Sequence, residues 1–155
     1  MTILNQNLDN QKIKSVEGSM DFESLYTSGV GYEKFLLGLK DGKILASVLP
    51  TSNQMVLPAR LYDERTFTRL EKTAPVTTPG VLQSYTTLFK NLDGQPLDSP
   101  ITVGLIGFKG VEGHLVHYVH PNGKKLTIGA TVKPKFLPQD QRTGSILDIQ
   151  WFELV

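Results

Sequence analysis

Apolar positions in this chain change period along its length, and the changes predict where elements begin and end. Tyr32, Phe35, Leu36 and Leu39 recur at i, i+3, i+4 and i+7, one apolar face of a short helix. Ser28, Gly29 and Gly31 stand at its start and Asp41 with Gly42 at its end. Residues 26–40 therefore read as an entry turn plus an amphipathic helix. Residues 1–18 are polar, with only Ile3, Leu4, Leu8 and Ile13 as scattered apolar positions, so residues 1–21 are expected to be a flexible arm or a short helix ordering against a partner. After the helix, residues 44–49 and 54–57 read as two short strands around a turn at 50–53, and Pro58 breaks the run.

Residues 74–80 read as a linker, after which the composition turns to β. Strands are expected over 81–90, 101–108, 114–120, 131–137 and 146–154, separated by turn-forming Gly, Asn, Asp and Pro. Five short strands, with one longer excursion at 121–130 between the third and fourth, is the count of a small Greek-key barrel of the OB type. Strand count alone also admits a jelly roll or an open sandwich. The fold class is mainly β: a helix and a small β unit over 22–74, then a five-stranded barrel over 75–155.

Composition narrows the chemistry. The 155 residues are 39% hydrophobic with a formal net charge of +1, so no global field draws the chain to nucleic acid or an anionic membrane. There is no cysteine, which excludes disulfides, thiol catalysis and thiolate metal sites. No basic stretch followed by an apolar run marks a leader, and no segment approaches 18 apolar residues, so a soluble cytoplasmic protein is expected.

The segment LPTSNQMVLPARLYDERTF, residues 49–67, has the layout of a zinc ribbon without its cysteines. Leu49, Ser52, Asp63 and Thr66 fall at the four ligand positions, two residues inside each pair and ten between the pairs. A structural zinc site needs four thiolate or imidazole donors, and here one carboxylate stands. No zinc and no other cofactor is expected. A structural zinc can contribute on the order of 10 kcal/mol to folding. Packing is expected to compensate through a cluster of Leu49, Val56, Leu57, Leu61, Tyr62 and Phe67, at about 1.5–3 kcal/mol for each fully buried large side chain.

An ordered set of segments carries a resemblance. YTSGVGYEKF (26–35), LKDGKIL (39–45), LPARLY (57–62), GVLQSYT (80–86), VEG (111–113), IGATV (128–132) and RTGSILDI (142–149) run in the order of one family. The chain resembles the thiolase-associated family that joins a rubredoxin-like zinc ribbon to an OB-fold, catalogued as a domain of unknown function. The likeness extends over about residues 22–154, and its departure is the loss of every ribbon cysteine. The resemblance implies a non-catalytic accessory subunit whose partner is a thiolase-like acyltransferase or aldolase, with an acyl-CoA or acyl acceptor held between them. The missing cysteine agrees: thiolase chemistry needs a Cys nucleophile, which the partner must supply.

Other candidates are weaker. His114, His117 and His120 are three apart, and on a strand His117 points opposite to the other two, so a three-histidine metal site is disfavoured and surface or partner-facing roles are expected. Ser84 and Ser145 lack a nucleophile-elbow frame. Asp148, in an alternating strand, reads as an outward polar position without the second carboxylate that acid–base work uses. Arg60, Arg65, Lys109, Lys124, Lys125 and Arg142 sit at ligand-flanking or loop-edge positions suited to coenzyme A phosphates or a partner, or to a solvated face. Gly110, Gly113, Gly123 and Gly129 read as turn glycines, since no phosphate-loop fingerprint accompanies them. The alternative function is a stand-alone OB-fold binder of single-stranded nucleic acid, with Tyr85, Phe89, Phe108 and Tyr118 as stacking platforms, poorly supported by a charge of +1. An independent hydrolase ranks last for want of a catalytic constellation.

Overall fold

The apolar stripe of the helix finds its partner in the short strands that follow it. In the computed structural model, which describes Gly18 and residues 26–155, helix α1 spans Gly29–Lys40 and buries Phe35 and Leu39. The arm expected over residues 1–21 lies outside the described residues, apart from an exposed Gly18. Gly31 is required by close approach: a Cβ there would overlap the backbone of Arg60 and Leu61. The helix ends as its sequence suggests, with Asp41 N–H donating to Leu37 O and Gly42 N–H to Leu39 O.

Strands β1 (Leu45–Val48), β2 (Met55–Val56) and β3 (Thr73–Pro75) build a small sheet with β6 (Val111–Glu112), in the order β3-β1-β2-β6. Part of the expected linker is thus a strand, because residues 73–75 find β1 as an antiparallel partner. The fourth strand comes from far along the chain. The connection read as a tight turn after Phe108 runs parallel to β2, and Leu57 N–H donates to Glu112 O at 2.7 Å. Gly113, at φ +95°, follows this junction, and a Cβ there would overlap Leu57 O. Only glycine fits. Inside the sheet, the buried Ser47 hydroxyl donates to Arg60 O at 2.7 Å and accepts from Arg60 N–H at 2.9 Å, fastening residues 57–62 to β1.

The remaining strands are β4 (Gly80–Lys90), β5 (Pro96–Phe108), β7 (His114–His120), β8 (Thr131–Phe136) and β9 (Ile149–Leu154). They close into a barrel in the order β4-β5-β7-β9-β8. All neighbours are antiparallel except β7 and β9. Numbered within the barrel this is 1-2-3-5-4, the closed five-stranded arrangement expected from the sequence. The last expected strand is shorter, since Ile146–Asp148 forms a 3₁₀ turn before β9.

One core serves both parts. Phe35, Leu39, Ile44, Ala46, Leu57 and Ala59 are continuous with Leu82, Ile106, Phe108, Phe152 and other barrel residues. The expected ribbon cluster is corrected in part. Val56 and Leu57 are buried, whereas Tyr62 is 51% and Phe67 81% exposed; Leu70 and Ala59 take the interior places. Tyr62 instead pairs through its backbone with Arg69 in an isolated antiparallel bridge, its ring left exposed.

Candidate functional site

The four ligand-like positions lie in two turns with the same backbone. In the first, Leu49 N–H donates to Gln54 O and Asn53 N–H donates back to Leu49 O, both at 2.9 Å. In the second, Asp63 N–H donates to Thr68 O and Phe67 N–H to Asp63 O, again both at 2.9 Å. Asn53 and Phe67, the fifth residue of each turn, have φ of +55° and +54°. That left-handed conformation is ordinary for Asn and uncommon for Phe.

The side chains differ. Asp63 is buried, and one of its oxygens accepts from Thr66 N–H at 2.9 Å and Thr66 Oγ1 at 2.7 Å. The Arg60 guanidinium lies 3.9 Å from the other oxygen and bonds Glu64 at 3.0 Å. The Thr66 hydroxyl, ahead of the opposing effect of burial, holds the Asp63 carboxyl below its usual range, with backbone N–H groups and Arg60 adding to it. In the first turn Ser52 is exposed, and its hydroxyl accepts from Gln54 N–H at 3.3 Å. No group of three or more His, Cys, Asp or Glu with metal-binding spacing occurs among the described residues.

The basic positions singled out in the sequence do not gather at one place. Arg65 pairs with Glu112 at 2.7 Å, linking the second turn to β6. Arg142 donates from Nε to Leu137 O at 2.7 Å and lies 5.4 Å over the Phe136 ring, while its Nη1 is 3.5 Å from Lys40 O at the end of α1. Lys109 is exposed at the β5–β6 turn, and Lys124 with Lys125 in the turn after β7.

Two polar residues depart from expectation. Asp148 is buried at 1% exposure rather than outward, because the chain there is a 3₁₀ turn and not a strand. Its carboxylate accepts from Thr143, Gly144 and Ser145 N–H at 3.0, 2.8 and 3.1 Å. Burial pushes its pKa up, but these donors outweigh it and the net displacement is downward. A capping box with Ser145, visible as Ser145-x-x-Asp148, was the signal that could have shown this. His117 points away from His114 and His120 as strand geometry requires, yet it is buried rather than at the surface. The inward face of β7 is the barrel interior. Its Nδ1 accepts from Tyr118 N–H at 2.8 Å, which leaves Nε2 as the donor to Ile146 O at 3.0 Å. Burial, ahead of these bonds, lowers its pKa below the ordinary 6.5.

The outer face of β4, β5 and β7 is the feature that sequence reading missed. An antiparallel sheet with a solvated face alternates apolar inward and polar outward. Here the outward rows are Ser84–Leu105–Val116, Thr86–Val103–Tyr118 and Leu88–Ile101. Val116 is 65% exposed, and Leu88, Ile101 and Tyr118 are also exposed. Leu147 (60% exposed) and Ile146 extend the patch, walling a hollow of about 280 Å³ with Val103, Val116, His117 and Tyr118. A second hollow, of about 340 Å³, adjoins it along Ser84, Thr86, Val103, Leu105 and Val116. These three rows hold no charged side chain, and the next pair along the hairpin, Lys90–Pro96, brings in Lys90. Of the aromatic positions named for the nucleic-acid alternative, Phe108 is buried in the core and Tyr85, Phe89 and Tyr118 are exposed, with Lys90 beside Phe89 as the single Lys or Arg in β4, β5 and β7.

No family model matches the sequence, and no curated protein matches it. Solved structures do. A protein of unknown function from the DUF35 family of Sulfolobus solfataricus matches with TM-score 0.61 and 28% identity, over 79% of this chain and 81% of that one. The Ltp2-ChsH2(DUF35) aldolase matches with TM-score 0.60 and 13% identity, over 84% of this chain and 97% of that chain. The chain thus shares the fold of DUF35-family proteins, a small sheet joined through a common core to a closed five-stranded barrel.

Proposed function

We propose that this chain is a non-catalytic accessory subunit of a thiolase-type acyltransferase or aldolase assembly. The observation that carries the reading is a DUF35-type fold in a chain with no cysteine. Acyl transfer of the thiolase kind needs a thiolate nucleophile, which in such an assembly must then come from another chain. Likeness of fold to the Ltp2-ChsH2(DUF35) aldolase supports the same assignment. The subunit contributes by positioning an acyl-CoA or an acyl acceptor and by excluding water where the chains meet. Lys109 and Lys124, both exposed, are the basic residues suited to the phosphates of such a ligand. Arg60, Arg65 and Arg142 serve the fold, in view of their internal bonds. The reading places the chain in the cytoplasm, with no zinc in its ribbon; no helix among the described residues is long and apolar enough to cross a membrane.

Affinity purification of the full chain from its native host, with mass spectrometry and metal analysis of the same sample, tests this. A stoichiometric thiolase-type chain and no zinc are expected. Recovery of the chain alone, or with single-stranded nucleic acid, would overturn the assignment.

A further inference from the structure

The geometry points to the outer face of β4–β5–β7, together with the tip of its hairpin, as the surface that docks the catalytic partner, and to a mainly apolar cleft as what the partner presents. This deepens the proposed function and rests on it.

The hairpin reaches beyond the barrel. The β5–β7 ladder ends at Val103↔Tyr118, and the β4–β8 ladder covers only Gly80 and Val81. Among the described residues no strand pairs with either flank of residues 86–102. A two-stranded hairpin by itself is marginal in water, yet this one carries Leu88, Phe89 (64% exposed), Ile101 and a fully exposed Leu92 at its tip. Leu88 and Ile101 continue the outward rows of Val116 and Tyr118, Phe89 falls on the opposite face of the arm by strand alternation, and Leu92 stands at its tip.

The chemistry of the surface selects the occupant. A polyanion or an acidic protein would find a single cation, Lys90, at the arm end of the face, with Asp93 and Asp98 also on the arm, and a mainly apolar surface loses least on leaving water there. A second copy would meet it by twofold pairing of like faces. Such a flat contact leaves Phe89 and Leu92, out on the arm, uncovered. A cleft that receives the arm covers tip and face together. Strand addition along the free edge of β5 is opposed by Pro96 and Pro100, which have no N–H to donate, so on that edge the contact is made by side chains.

The test uses the full chain in the complex purified from its host. A photoreactive phenylalanine analogue is placed at Leu88, Leu92 or Val116, and for comparison at Phe67 and Ile128, two other exposed apolar positions. The first three are expected to crosslink to the thiolase-type chain. Val116→Arg and Leu92→Asp are each expected to weaken its binding by about tenfold or more with unchanged thermal stability, since both residues are exposed in the free chain. Crosslinks to that chain from Phe67 and Ile128 alone would overturn the docking face while leaving the accessory role standing. Crosslinks from Val116 to a second copy would overturn it in favour of a homodimer. Absence of any thiolase-type chain from the purified material would overturn the underlying function and this inference with it.

Discussion

The two turns at residues 49–53 and 63–67 share a backbone and differ in what sustains it. Each closes with the same pair of hydrogen bonds and a left-handed fifth residue. The first sits directly between β1 and β2, whose pairing holds its ends together. The second has the Tyr62–Arg69 bridge at its base and the exposed Arg65–Glu112 pair to β6, and there a buried aspartate and a threonine hydroxyl bind the turn from within. A shape that needs a metal in one chemical setting can therefore be kept by neighbouring strands in one copy and by a carboxylate in the other. The difference predicts that the second turn is the sensitive one.

The largest effect should come from restoring the metal. The combined variant Leu49→Cys, Ser52→Cys, Asp63→Cys and Thr66→Cys is expected to bind one zinc per chain, seen by metal analysis and a cobalt-substituted thiolate spectrum. Up to about 10 kcal/mol of apparent binding energy is available to such sites. A variant that folds without taking up zinc would show that the turns no longer face a common centre. Next in size is Asp63→Ala. It removes the acceptor of both Thr66 donors and the anion beside Arg60, so limited proteolysis should open residues 61–70 while the barrel stays folded. Equal resistance in this variant and the parent would break the comparison. Thr66→Val, which loses the hydroxyl and keeps the shape, should cost about 1 kcal/mol in denaturant melts. Ser52→Ala, exposed and in the strand-held turn, should stay within about 0.5 kcal/mol.

Acidity gives the finest resolution. Asp63 and Asp148 have folded pKa values below the ordinary 3.8, so their stabilisation is complete above that pH and is lost as pH falls through the depressed values. His117 also has a depressed value; the unfolded chain takes up a proton first, so its contribution begins to be lost as pH falls below 6.5. Stability measured against pH should thus decline in two limbs. Asp63→Ala should shallow the acid limb and leave the upper one, whereas Ser52→Ala should change neither. Unaltered limbs in both variants would mean that the carboxylate does not distinguish the turns.

Much of the scaffold was legible from local pattern. The helix at Gly29–Lys40, the two short strands around the first turn and the five barrel strands follow from 3.6- and 2-residue periods and from turn residues between them. The spacing of Leu49, Ser52, Asp63 and Thr66 already implied paired turns. The misses share a cause: a side chain's face was inferred from its own element. Asp148 lay in a presumed strand that is a capped 3₁₀ turn. His117 had the right direction, but nothing local says that this direction is the barrel interior. Phe67 looked like core and is exposed, since a residue with positive φ at the end of a tight turn points where the turn sends it.

The sequence by itself determined the helix, the two strands of the first turn, the five barrel strands, their order and the absence of thiol chemistry, because periodicity, turn preference and composition act over a few neighbouring residues. Tertiary structure alone decided three further things. It paired β7 with β9 in parallel to close the barrel. It bonded β6 to β2, 55 to 111 and 56 to 112, joining the small sheet to the barrel. It left the outward rows of β4, β5 and β7 uncovered by any other described element. Apolar residues at alternate positions record only that something is to be buried. Whether the chain itself or another molecule covers them depends on contacts between residues far apart in sequence, and those exist only once the barrel has closed.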